Sequence, residues 1–74
     1  MTDKFLLMFK EALEIEQRTI KLQDDFRQYP EWDSLAQLSL IAMLDSEFGV
    51  QIENEEFRSL LTLEDLLNAI RLKS

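Results

Sequence analysis

Gly49 and Pro30 are the only glycine and the only proline in the 74-residue chain. Strand-rich domains need such residues at every tight turn, so a chain with one of each folds from helices. Both stand at the edges of one long apolar segment, SLAQLSLIAMLDSEF, Pro30 shortly before it and Gly49 directly after it. The length allows one domain, residues 1–74, with a thin core. There is no cysteine, hence no disulfide staple, thiolate ligand or thiolate nucleophile; this is compatible with a reducing compartment, and a cytoplasmic protein is expected. There is no histidine either, which removes the commonest general base and the commonest metal ligand together; no metal site is expected.

Four helical segments can be read. The first is predicted from about Asp3 to Glu16, capped by Thr2, with Phe5, Phe9, Ala12 and Leu13 on one face. A long connection follows, roughly Gln17 to Trp32, whose Ile20, Leu22, Phe26 and Tyr29 should tack it across the bundle. The second helix is predicted from Ser34 to Phe48, stopped by Gly49. A short third helix lies around Asn54 to Ser59. The fourth opens at Thr62, where T-L-E-D places Asp65 for a variant capping box, and runs to about Leu72 with Leu63, Leu66, Leu67 and Ile70 inward. The fold class is all-α, a small four-helix bundle with a long first loop and a short third helix. The expected core is Phe5, Phe9, Leu13, Leu40, Ile41, Leu44, Phe48, Ile52, Leu66, Leu67 and Ile70.

The net charge of −7 argues against nucleic acid, which requires clustered Lys and Arg. No apolar run reaches membrane-spanning length, and the apolar patch near the N-terminus is too interrupted by Lys10 and Glu11 for a signal peptide. The charge is concentrated. Between Arg27 and Arg58 there is no base, while Glu31, Asp33, Asp45, Glu47, Glu53, Glu55 and Glu56 make seven acids; elsewhere eight acids balance eight bases. Such a surface keeps a small domain soluble, and it also suits docking of basic partners.

The second helix carries more apolar surface than a small bundle can bury. At about 100° per residue, Leu40, Ile41, Leu44 and Phe48 share a core stripe, while Leu35, Leu38 and Ala42 form another that Ser34 borders. The second stripe faces solvent or a partner, unless the long loop folds over it. Ser34 reads first as a helix cap. It is not a self-activated nucleophile: a Ser-His-Asp arrangement needs histidine, no S-x-x-K occurs, and no glycine-rich loop is present. No catalytic residue is assigned. If Ser34 is functional, another protein acts on it.

D-S-L at 33–35, opening a helix, then L-x-L-I-x-x-L-x-x-E-F-G at 38–49 and V-Q-I, resembles the acyl carrier proteins over nearly the whole chain. The resemblance implies that Ser34, flanked by Asp33 and Leu35, carries a covalent 4′-phosphopantetheine derived from coenzyme A, with Ser34 both cap and attachment point. It implies a carrier of acyl or aminoacyl groups held as thioesters, not an enzyme, serving fatty-acid or specialised lipid or polyketide-type synthesis. The implied partners are a phosphopantetheinyl transferase and acyl ligases, acyltransferases and synthases with basic docking patches. These would meet a monomer through Leu35, Leu38, Ala42, Asp45, Glu47, Glu55 and Glu56. Carriers of fatty-acid synthesis usually place further acids on the exposed side of this helix, where this chain has Ala36, Ser39 and Ser46, and Tyr29 and Trp32 before the serine look more like stand-alone carriers of specialised pathways. Trp32 is expected to pack the loop onto the bundle. The competing reading is an acidic helical adaptor that binds a partner helix through Leu35, Leu38 and Ala42, with Ser34 only a cap.

Overall fold

The computed structural model describes residues 1–73 as four helices: α1 Thr2–Ala12, α2 Ser34–Phe48, α3 Asn54–Arg58 and α4 Leu63–Lys73. The long connection holds one 3₁₀ turn, Phe26–Gln28. The bundle, its long first loop and its short third helix are as the sequence predicts.

Helix α1 is the exception at both ends. Thr2 lies inside the helix rather than capping it; Met1 precedes it without a side-chain cap, and its carbonyl accepts the Phe5 N–H at 2.9 Å. The helix stops at Ala12, well short of Glu16, because Glu14 turns into the left-handed region at φ 58°. The Glu14 N–H then donates to Glu11 O at 3.2 Å and the Ile15 N–H to Lys10 O at 2.8 Å, the paired bonds of a Schellman closure. The turn swings Ile15 back into the core. A glycine or asparagine normally marks that position. A glutamate there costs about 1–2 kcal/mol and gives no warning in the sequence.

Gly49 takes the same backbone region at φ 64° after α2, where the predicted stop falls, and its N–H donates to Asp45 O at 3.0 Å. The predicted capping box of α4 is present: the Asp65 N–H donates to Thr62 Oγ1 at 3.1 Å, and Asp65 Oδ2 accepts the Thr62 N–H at 3.1 Å and the Leu61 N–H at 3.0 Å. These backbone bonds hold the Asp65 carboxyl below its ordinary pKa. Two further amides of the first turn, Leu63 and Glu64, donate to the loop carbonyls of Asp24 and Leu22, so the long connection is fastened to α4 by main-chain bonds.

The core centres on Phe5, Phe9, Phe26, Leu40, Leu44, Phe57, Leu63, Leu66, Leu67 and Ile70, with Leu13 and Ile52 also buried as expected. Two expected members, Ile41 and Phe48, are only half-buried; Phe48 forms a rim under the Lys4 ammonium, 5.2 Å from its ring. The inward face of α2 is Ala36, Leu40, Met43 and Leu44, rotated by roughly 70° from the predicted stripe at 100° per residue. A helix apolar on nearly every side has no sharp angular signal, so its periodicity does not fix which face turns inward. The rotation puts Leu35, Leu38 and Ala42 diametrically opposite the core.

Candidate functional site

The long loop delivers the chain to α2 through a set of side-chain locks. Arg18 binds Glu31 in a fork, Nη1 to Oε2 at 3.0 Å and Nη2 to Oε1 at 2.7 Å, and its guanidinium lies 4.8 Å from the Tyr29 ring centre. The Arg18 hydrogen bond lowers the Glu31 carboxyl pKa. The Tyr29 hydroxyl donates to Asp24 Oδ2 at 2.7 Å. Trp32 lies parallel to Phe57 of α3, 9° between planes with centroids 6.1 Å apart, and edge-on to Phe26 at 4.9 Å. Trp32 thus packs the loop onto the bundle, as the sequence suggests.

Arg27 completes this corner from the other side. Its Nη2 donates to Phe57 O at 2.7 Å and its Nε to Leu60 O at 3.1 Å, closing the C-terminal end of α3. The same guanidinium lies 5.2–5.9 Å from the rings of Phe26, Trp32 and Phe57. The sequence offered no signal for this role, because an arginine between polar loop residues reads as solvated.

The next two residues divide what had been expected of one. Asp33, extended at φ −155°, is the cap of α2: its Oδ1 accepts the Ala36 N–H at 2.7 Å. Ser34 is the first helical residue, not the cap, and its side chain is exposed. The correction has a geometric cause. A cap residue needs extended backbone and an oxygen that reaches an amide two or three residues on, and Asp33 meets both conditions. The Ser34 hydroxyl is thereby left for something else.

Around it the exposed apolar stripe stands clear. Leu35 is 71% and Leu38 65% exposed, and Ala42 is exposed too, so the loop does not cover them. Asp33, Asp45, Glu47 and Glu55 are at the surface, while Glu56 is drawn into an ion pair with Lys73 at 3.0 Å. The acidic interval is therefore less uniform than its sequence, since Glu31 and Glu56 are both neutralised locally. On the α1 side of the stripe, Met8, Ala12, Ser39, Ala42, Ser46 and Glu47 edge an open groove of about 490 Å³. On the α3 side, Ser34, Gln37, Leu38, Asn54 and Arg58 line a second groove of about 340 Å³. Gln37, Asn54 and Arg58 were not singled out from sequence, although Arg58 is the base that ends the acidic interval.

Among the described residues no group of acidic side chains is disposed to hold a metal ion. A hydroxyl at an exposed helix start, flanked by apolar and acidic surface, suits modification and handling by other proteins. Residues 3–70 match the model of the family described as "Phosphopantetheine attachment site". The chain belongs to that family. It is 31% identical over 71 residues to an acyl carrier protein of Thermosynechococcus vestitus, covering 96% of this chain and 88% of that one. Its fold is similar to the solution structure of holo acyl carrier protein from Geobacter metallireducens, with a TM-score of 0.83 at 20% identity, covering 96% of this chain and 82% of the other. The protein is an acyl carrier protein, a carrier rather than an enzyme, and its prosthetic group is covalent 4′-phosphopantetheine. The residues fit such a group: an exposed serine relieved of capping, beside a groove that offers amide and guanidinium donors.

Proposed function

We propose that Ser34 is the attachment point and that this carrier serves a specialised acyl- or aminoacyl-transferring pathway rather than housekeeping fatty-acid synthesis. The observation that carries the attachment reading is the division between Asp33 and Ser34: the aspartate caps α2 and the exposed serine is free. In the transferase, Ser34 Oγ forms a bond to phosphorus as the diphosphate linkage of coenzyme A breaks and adenosine 3′,5′-bisphosphate leaves. The hydroxyl proton passes to a base on the transferase: this chain has no histidine, and the neighbouring Asp33 carboxylate is engaged by the Ala36 N–H. When bound, the group supplies a thiol that holds acyl or aminoacyl cargo as a thioester.

Ligases, acyltransferases and synthases then meet the carrier as a cytoplasmic monomer at Leu35, Leu38 and Ala42, with Asp33, Asp45, Glu47 and Glu55 steering their basic patches. Glu56 contributes less than its position suggests because Lys73 already pairs with it. The specialised-pathway reading is supported by Ser39 and Ser46, which leave the outer side of this helix poorer in acids, and by Tyr29 and Trp32 ahead of the serine; Ala36, expected on that exposed side, is buried against the core and says nothing about docking.

The test is intact mass after incubation with coenzyme A, magnesium and a broad-specificity phosphopantetheinyl transferase. The expected result is a gain of one phosphopantetheine that Ser34→Ala abolishes. A gain that persists in Ser34→Ala, or no gain with several such transferases, sinks Ser34 as the attachment point.

A further inference from the structure

The acidic interval of the sequence ends at Arg58, and the fold returns that guanidinium to the beginning of α2. Arg58 is exposed in α3 and shares the 340 Å³ groove with Ser34, Gln37, Leu38 and Asn54. The other two bases around α3 are occupied. Arg27 serves the Phe57 and Leu60 carbonyls, and Lys73 pairs with Glu56. Among the described residues the ion pairs are Arg18–Glu31 and Lys73–Glu56, so Arg58 holds no carboxylate despite the acids near it in sequence.

We infer that Arg58, with the amides of Gln37 and Asn54, seats the phosphodiester on Ser34. The inference rests on Ser34 being the attachment point. Its physical basis is complementarity. A guanidinium presents a planar fork that matches two phosphate oxygens, and Gln37 stands three residues after Ser34 on the same side of α2. The N-terminal end of α2 adds its own partial positive charge to the same spot. An exposed ion pair of this kind is weak and screened by salt, so an enzyme that docks on Leu35 and Leu38 can lift the arm away. Arg58 is thus a positioning residue that sets where the phosphodiester rests between visits.

The experiment loads wild type, Arg58→Gln and Arg58→Lys to completion, verified by intact mass, and compares apo and holo forms by NMR. The Arg58 Nε–H signal is expected to move on loading. The phosphorus resonance of the holo protein should differ between wild type and Arg58→Gln, with Arg58→Lys between them. Raising salt from about 0.1 M to about 1 M, which shortens the Debye length from roughly 10 Å to roughly 3 Å, should shrink both differences. A fully loaded protein whose Arg58 signal stays put, and whose phosphorus resonance ignores the substitutions, overturns the inference while leaving Ser34 as the attachment point. Failure to load at all would remove both.

Discussion

The Asp33 carboxylate accepts the Ala36 backbone N–H at 2.7 Å, and the neighbouring Ser34 hydroxyl is left exposed. Asp33→Ala should therefore lower stability by about 0.5–2 kcal/mol, the usual worth of a cap, without removing any buried side chain. Asp33→Asn, which keeps an oxygen for the Ala36 amide, should lose much less. Urea unfolding of the three proteins checks this. Equal midpoints for wild type and Asp33→Ala would show that Ser34 can take over the cap after all.

Arg27 is expected to matter more than any other charged residue for stability. Removing it leaves the Phe57 carbonyl with only the Leu60 N–H at 3.1 Å, takes the guanidinium donor from the Leu60 carbonyl just beyond α3, and exposes one side of the Phe26–Trp32–Phe57 cluster. Arg27→Ala should cost about 2–3 kcal/mol, in the range of charge-assisted hydrogen bonds lost at a half-buried site. Arg27→Lys should recover only part, because an ammonium lacks the fork that reaches both carbonyls. Trp32 is the single tryptophan, so its emission reports on this corner directly and should shift to the red in Arg27→Ala.

Tyr29 and Asp24 give the protein a pH dependence at each end of the scale. Burial, then the hydrogen bond to the Asp24 carboxylate, raises the Tyr29 pKa well above the ordinary tyrosine value of about 10. Its contribution to stability is whole below about pH 10 and disappears as pH rises through the higher folded value. The Tyr29 hydroxyl, then the Lys21 N–H, lowers the Asp24 pKa, so that contribution is whole above about pH 4 and is lost as pH falls through the depressed value. Tyrosinate absorbance should show the one tyrosine still neutral in the folded protein at about pH 11 and ionised once urea is added. Asp24→Asn should bring the folded titration down towards the ordinary value.

The parts of this fold legible in the sequence are those whose local chemistry has one solution. Gly49 can end α2 cheaply in a left-handed turn, and Thr62 with Asp65 can close a capping box, so both boundaries were placed from residue types alone. Glu14 adopts the same kind of turn without the residue that advertises it, so α1 ends earlier than its residue types predict. The rotation of α2 was lost for a different reason: with apolar residues around most of the helix, periodicity cannot say which face is inward. The spare stripe of Leu35, Leu38 and Ala42 was nevertheless recognisable, because too many apolar residues for one core is a count, not an angle. Arg27 and Arg58 depend on long-range return of the chain, which no local pattern encodes.

The balance of forces at the docking face yields the last prediction. Leu38 is 65% exposed on α2, and burying such a side chain against a partner contributes about 1.5–3 kcal/mol. An exposed charge pair contributes about 0–1 kcal/mol and fades with salt. Ser39 and Ser46 supply none of the charges that would offset this inequality, and Ala36 faces the core. Leu38→Ala should therefore reduce acyl loading by a cognate ligase about tenfold or more in kcat/KM, the equivalent of about 1.4 kcal/mol, whereas Glu47→Gln should reduce it only a few-fold. Raising salt should weaken loading of wild type only modestly, and enzymes of housekeeping fatty-acid synthesis should use the holo protein poorly. The measurement loads the phosphopantetheinylated protein with both enzyme types at low and high salt. Efficient, strongly salt-sensitive turnover by the fatty-acid enzymes, with Glu47→Gln more damaging than Leu38→Ala, would show that charge dominates this face and would remove the specialised-pathway reading.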